Sequence, residues 1–198
     1  MAAWIASKIN ANSAASPRVV ELACGAGFLA ELLKRHLPDV RYCGFDLSPD
    51  LLEFAQRRLG DIPDERGEGK DLHFVRANLV SDNWTAQLAE MGWSGKVDAV
   101  VSIQALHDLG DLAQQKEVLT KARGLLRKGG LLAYGDLLLD AENPHSSRYS
   151  RAEHEEMLRQ CGFSIPEPST PDRARDGLSS QSYAAAAFGD FGTFACRK

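Results

Sequence analysis

The stretch Val19-Val-Glu-Leu-Ala-Cys-Gly-Ala-Gly-Phe-Leu-Ala-Glu-Leu-Leu-Lys-Arg-His-Leu-Pro38 decides how the rest of the chain is read. Arg18–Cys24 is a short run rich in Val and Leu, the pattern of a buried strand. Phe28, Leu29, Leu32, Leu33 and Leu37 then recur at helical spacing. Between the two patterns lies Cys24-Gly-Ala-Gly27, almost bare of side chains. Glycine lets the chain turn tightly and lets a ligand approach the backbone. The helix that follows points its unpaired N–H groups and its positive dipole end at the same place. A dinucleotide pyrophosphate and the carboxylate of an amino-acid-like ligand both suit that arrangement. A plain strand-to-helix turn has the same appearance.

Outward from this stretch, strand-like and helix-like patterns alternate. Arg41–Leu47 reads as a second strand. Ser48-Pro49 reads as an N-cap followed by proline at the first helical position, with Leu51, Leu52, Ala55 and Leu59 directed inward. Residues 61–70 are charged and glycine-bearing, a solvated loop. Leu72–Ala77 and Val97–Ser102 are a third and a fourth strand, with a short helix near Trp84–Met91 between them. Leu112–Leu126 is a helix ended by Lys128-Gly-Gly130, and Leu131–Gly135 is a fifth strand. Ser150-Arg-Ala-Glu153 is a capping box opening a helix that closes at Gly162. Phe163–Ile165 and Phe191–Cys196 read as an antiparallel pair at one end of the sheet. The expectation is an α/β fold: a doubly wound, mostly parallel seven-stranded sheet with a reversed last strand and helices on both faces. Residues 1–16 hold a short helix or cap, with Trp4, Ile5 and Ile9 apolar, and residues 17–198 form the main domain.

The totals narrow the function. At 198 residues, 44% hydrophobic and 25% charged, the composition is ordinary for a globular domain. A net charge of −4 gives no general attraction to nucleic acid or anionic lipid. No apolar run reaches membrane-spanning length and no signal-peptide pattern opens the chain. The expected setting is cytoplasmic, with no nucleic-acid or membrane partner. Cys24, Cys43, Cys161 and Cys196 are widely spaced, so a metal site is not expected and buried thiols are.

An open parallel sheet binds ligands at the carboxyl ends of its strands, near the point where strand order reverses. Gly25 and Gly27 fall there. Asp46 falls at the corresponding end of the second strand, where a carboxylate can accept from both hydroxyls of a ribose. The pair points to a nucleoside-containing ligand.

At these positions the chain resembles the class I S-adenosylmethionine-dependent methyltransferases. Val19–Gly27 resembles the family's first motif, with an acidic residue before the glycine loop, and Gly44-Phe-Asp-Leu-Ser-Pro49 resembles its second. Phe74-Val-Arg-Ala-Asn-Leu79 resembles the segment that edges the adenine. Asp98–Asp108 resembles the fourth-strand motif beside the transferred methyl group. Leu126–Leu132 resembles the turn into the fifth strand. Two departures stand out: Ala23 replaces a usual glycine, and Asn78 replaces a usual aspartate.

The resemblance implies S-adenosylmethionine as methyl donor, with S-adenosylhomocysteine as product. The implied cofactor-binding residues are Glu21, Ala23, Gly25, Gly27, Asp46, Leu47, Asn78, Leu79 and Ser102. Glu21 would accept backbone N–H groups of the glycine loop, face the cofactor's ammonium group, or simply anchor the loop. Asn78 would accept from the adenine amino group through its carbonyl oxygen, and Leu47 and Leu79 would sandwich the adenine. His107 is the candidate base, with Asp108 beside it, or else a loop histidine capping the next helix. His145 and Tyr149 could line an acceptor pocket or lie on a solvated loop. Trp84 and Trp93 read as packing residues. The expected acceptor is a small organic molecule with an O, N or C nucleophile, in a site left open or completed by a second subunit of a homodimer. A nicotinamide-dependent oxidoreductase and a non-catalytic binding protein built on the same pocket are the alternatives.

Overall fold

A computed structural model of the chain describes residues 2–10, 16–59, 72–138, 149–165 and 191–198. Along the chain run α1 (Ala2–Asn10), β1 (Arg18–Leu22), α2 (Phe28–His36), β2 (Arg41–Asp46), α3 (Pro49–Leu59), β3 (Leu72–Arg76) and α4 (Thr85–Glu90). They are followed by β4 (Val97–Ile103), a 3₁₀ turn at Leu106–Asp108, α5 (Leu112–Leu125), β5 (Leu126–Leu137), α6 (Arg151–Gln160) and β6 (Phe191–Arg197). The expected loop at 61–70, His145, and the chain between Ile165 and Phe191 lie outside the described residues.

The strands form one sheet in the order β3-β2-β1-β4-β5-β6. All neighbours are parallel except β6, which runs antiparallel to β5. The expected seventh strand at Phe163–Ile165 is reduced to a single antiparallel bridge, Ser164 to Arg197. Strand order reverses between β1 and β4, so the crevice of an open sheet falls at the carboxyl ends of those two strands.

Alternation along each strand splits the core between two faces. Val19, Tyr42, Ala99, Val101, Leu131 and Ala133 face α1, α2 and α3, which contribute Ile5, Ile9, Leu29, Leu33, Leu52 and Leu59. Val20, Leu22, Phe45, Val100, Leu132 and Tyr134 face α4, α5 and α6, which contribute Leu88, Val118, Leu119, Met157 and Leu158. Trp84 and Trp93 are packing residues, each 1% exposed. Trp84 meets the Phe45 ring edge-on and donates from Nε1 to the Leu79 carbonyl at 3.0 Å. All four cysteines are buried and free.

Helix boundaries follow capping chemistry. Ser150 and Glu153 make the expected reciprocal capping box of α6, and Asp111 and Gln114 make a second at α5. Two details of the helical faces differ from the expectation. Leu51 faces outward on α3 at 43% exposure, and Phe28 and Leu32 on α2 are 64% and 42% exposed. A helix resting on a sheet buries only a stripe, and Leu52, Ala55 and Leu59 already fill that of α3.

Candidate functional site

Three left-handed residues make the turn after β1: Ala23 (φ 53°), Gly25 (φ 51°) and Gly27 (φ 72°). At Gly27 the conformation is compounded by close packing. A Cβ there would lie 3.1 Å from Ala55 and Leu59 and 3.2 Å from the Phe74 ring. At Ala23 a side chain is carried in the conformation that glycine favours, which costs about 1–2 kcal/mol. Ala23→Gly removes that strain but adds freedom to the unfolded chain. The expected balance is a gain of about 0.5–1 kcal/mol, a rise of roughly 2 °C in Tm by calorimetry. A fall in Tm would show that the Ala23 methyl group contributes more through packing than it costs in strain.

Asp46, at the end of β2, reaches across to this turn. Its Oδ2 accepts from the Gly25 N–H at 2.7 Å and its Oδ1 from the Ser48 N–H at 2.9 Å. The glycine turn and the carboxylate therefore meet directly. Beside them opens a cavity of about 580 Å³ lined by Ala23, Asp46, Leu47, Asn78, Leu79, Gln104 and Asp108 among others, a volume suited to a nucleoside-sized ligand.

The remaining expected residues occupy varied positions. Leu47 is 58% exposed and Leu79 is 4% exposed, so the two cavity-lining leucines differ sharply in burial. Asn78 lines the cavity, but its Oδ1 accepts from the Val80 and Ser81 N–H groups at 3.0 and 3.2 Å. The turn after β3 thus uses the oxygen that was expected to receive the adenine amino group, and the Asn78 amide presents its NH₂ instead. Ser102 is buried on β4, and its hydroxyl donates to the Leu22 carbonyl at 3.0 Å rather than lining the cavity. Tyr149 stands edge-on to His154 at 6.3 Å.

Glu21 lies beneath the turn, 3% exposed. Its contact is with Tyr42, whose hydroxyl donates to Oε2 at 2.5 Å. The glycine at position 44 makes room for this cluster: a Cβ there would fall 2.6 Å from the Tyr42 hydroxyl and 2.7 Å from the Cys24 sulfur. Burial raises the Glu21 carboxyl from an ordinary 4.5 to about 8; the Tyr42 bond opposes the shift and the Asp46 charge adds to it. Between those two values the folded chain keeps a proton that the unfolded chain releases. Stability therefore falls as pH rises through this window, by no more than about 5 kcal/mol at 1.36 kcal/mol per unit. Glu21→Gln keeps an oxygen for Tyr42 and cannot titrate. The difference in Tm between variant and parent should accordingly grow from pH 5 to pH 9. His154, held below its ordinary range by burial, weakens both proteins on the acid side and cancels in that difference. A constant difference across the range would mean that Glu21 titrates normally.

His107 lies on the 3₁₀ turn at the carboxyl end of β4. Its ring is 13% exposed and points back to β5, with Nδ1 2.5 Å from Asp136 Oδ1. Asp136 has no exposed surface and also accepts from the His107 and Leu137 backbone N–H groups at 2.9 and 2.8 Å. A carboxylate engaged by two backbone donors acts as an acceptor, so the proton of the third bond belongs to Nδ1. In the neutral imidazole Nε2 is then the nitrogen without a proton, 3.5 Å from Oδ2 of Asp108 on the cavity wall. Sequence reasoning ended the fifth strand at Gly135 and missed Asp136. The available signal was one acid inside the apolar run Leu131–Leu139. Gln104 was missed as well; it lines the cavity in a left-handed conformation, φ 54°.

Residues 20–132 match the family profile described as a methyltransferase domain. A malonyl-[acyl-carrier protein] O-methyltransferase of Magnetococcus marinus is 31% identical over 121 residues, 61% of this chain and 38% of that protein. A fatty-acid O-methyltransferase of Mycolicibacterium smegmatis is 26% identical over 166 residues, 82% of this chain and 53% of the relative. The chain thus spans 38% to 53% of the length of these two proteins. Among solved structures, the CurJ carbon methyltransferase superposes with a TM-score of 0.69 at 16% identity, covering 100% of this chain and 54% of that one. Among the described residues no helix is long and apolar enough to cross a membrane.

Proposed function

The chain belongs to the methyltransferase-domain family, and from that premise we propose that it moves a methyl group from S-adenosylmethionine to an oxygen of a small organic acceptor. The observation that carries this reading is Asp46: one carboxylate both grips the Gly25 N–H and lines the cavity. The fit of the donor to these residues rests on that cavity, with a ribose-binding carboxylate beside a preformed glycine turn. Ala23 and Leu47 border the cavity near Asp46, and Asn78 with Leu79 offers an amide and an apolar surface to an adenine ring. The oxygen acceptor is favoured by the O-methyltransferase relatives.

When bound, the sulfonium supplies an already activated methyl group. The chain must then orient the acceptor, keep water away and, for a hydroxyl acceptor, remove a proton. His107 is not among the residues that line the cavity, but its Nε2 faces Asp108, which is, and we assign it that last task. Asp136 holds the ring in the tautomer that leaves Nε2 open. Once Nε2 takes the proton, Asp108 becomes its ion-pair partner, an interaction that favours the charged product of proton transfer over the neutral start. A carboxylic acid acceptor, already ionised, needs none of this and uses only the orientation.

A thermal-shift and labelled-methyl experiment tests the reading. S-adenosylhomocysteine should raise the Tm, while NAD and NADP should leave it unchanged. Label from S-adenosylmethionine should then pass to members of a panel of hydroxylated and acidic acyl compounds. Stabilisation by NAD or NADP alone would assign the cleft to nicotinamide chemistry. Binding of S-adenosylhomocysteine without transfer to any acceptor would support a non-catalytic descendant.

A further inference from the structure

The turn that meets the ligand is held from outside by the second strand–helix unit. Three of its peptide N–H groups are engaged: Cys24 with the Phe45 carbonyl at 2.9 Å, Gly25 with Asp46 at 2.7 Å, and Gly27 with the Cys24 carbonyl at 3.0 Å. The Ala26 carbonyl is taken by a side chain, Nη2 of Arg58 at 2.8 Å. Arg58 lies in the last turn of α3 and also pairs through Nη1 with Glu31 of α2. Its guanidinium lies 4.4 Å from the centre of the Phe28 ring and 5.9 Å from that of Phe54. These rings are 64% and 52% exposed and belong to neither face of the core. Their place in the molecule is explained by the cation between them. The Arg58 side chain is 25% exposed, and its Nε is buried without a hydrogen-bond partner. A desolvated donor is unfavourable. The guanidinium is therefore held by its other contacts at a position it would not choose for solvation.

We infer that Arg58 is a positioning residue for the cofactor: by fixing the Ala26 carbonyl on the α3 side, it holds the glycine turn in the conformation in which the Gly25 N–H reaches Asp46, and keeps that carbonyl oxygen from turning toward the ligand's anionic end. The inference deepens the methyltransferase reading and rests on it for the identity of the ligand. With left-handed residues at 23, 25 and 27, the turn has little conformational resistance of its own to a peptide flip. A charge-assisted bond to the intervening carbonyl supplies that resistance, so less ordering is left to the binding step.

Arg58→Met keeps much of the apolar stem against Phe28 and Phe54 and removes the donors. Its affinity for S-adenosylhomocysteine by titration calorimetry should fall about tenfold to a hundredfold. Hydrogen exchange in the peptide covering residues 24–30, measured with no ligand present, should accelerate. Arg58→Lys, with one flexible donor, should recover part of both. Glu31→Gln breaks the ion pair but leaves the Ala26 bond, and should bind within about twofold of the parent. Unchanged affinity and exchange in Arg58→Met would overturn the inference. So would a Glu31→Gln variant as weak as Arg58→Met, because Arg58 would then act only as a staple between helices. Should Arg58→Met fail to fold, Arg58→Lys and Glu31→Gln carry the same comparison. A parent protein that does not bind S-adenosylhomocysteine would defeat the methyltransferase reading, while the exchange data would still decide whether Arg58 holds the turn.

Discussion

Asp46→Ala should weaken binding of S-adenosylhomocysteine by at least about a hundredfold, the largest loss expected from any single change on the cofactor side. Two effects combine. A ribose diol loses a charged acceptor, and hydrogen bonds to charged groups contribute about 1.5–3 kcal/mol each. The Gly25 and Ser48 N–H groups also lose the carboxylate that holds them at 2.7 and 2.9 Å, so the turn and the start of α3 loosen before any ligand arrives. The variant should stay folded, because Asp46 closes the strand and the cores on either side of the sheet do not depend on it. Asp46→Asn separates the effects. Its amide oxygen can still accept from one backbone donor but not carry the charge, so its affinity should fall between those of the parent and the alanine variant. Calorimetric titration beside a melting curve reads both terms. Unchanged affinity in Asp46→Ala would remove this carboxylate from the site and leave the glycine turn as an ordinary connection.

The glycine turn and Asp46 were legible in the sequence because local rules alone place them. A buried run ends in glycines, a second ends in an acid, and parallel pairing brings the two ends together, with Leu22 beside Phe45 in the register. The parallel sheet followed from the alternation of the two periodicities, and the reversed last strand from the break in that alternation after Gly162. What could not be read were partners chosen by tertiary contact. Glu21 was expected to accept from the loop, face the cofactor's ammonium group or anchor the loop, and the contact it makes is with the Tyr42 hydroxyl, a choice that depends on the missing Cβ at position 44. The Asn78 oxygen is consumed by its own turn, a competition between side chain and backbone that acts over two or three residues. Asp136 and His107 lie far apart in sequence and become neighbours only because β4 and β5 pair in parallel, with Ile103 beside Gly135. No periodicity reports such a meeting. An acid in an apolar strand reports only that some partner must exist.

That partner leads to the largest effect on turnover. In Asp136→Asn one oxygen replaces two that serve different donors, Oδ2 for the His107 N–H and Oδ1 for the Leu137 N–H, so an amide that keeps the His107 bond gives up the Leu137 one, and a melting curve should accompany the assay. The amide would then present its NH₂ to Nδ1, where the parent presents an acceptor. The favoured tautomer reverses: the proton moves to Nε2, and the nitrogen facing Asp108 can no longer receive one. With a hydroxyl acceptor, kcat should fall by about 10²–10⁴, the range that positioned proton transfer contributes. Affinity for S-adenosylhomocysteine should stay within about twofold of the parent, since Asp136 does not line the cavity. His107→Ala should lose a similar factor, and the double variant should lose little more, because the two residues act as one unit. The same variants assayed with an ionised carboxylic acid as acceptor should keep most of their turnover, as no proton needs to leave. If both acceptor classes lose activity equally, the pair acts by shaping the cleft. If neither does, His107 is the cap of a turn and Asp136 its anchor, and methyl transfer in this chain depends on orientation alone.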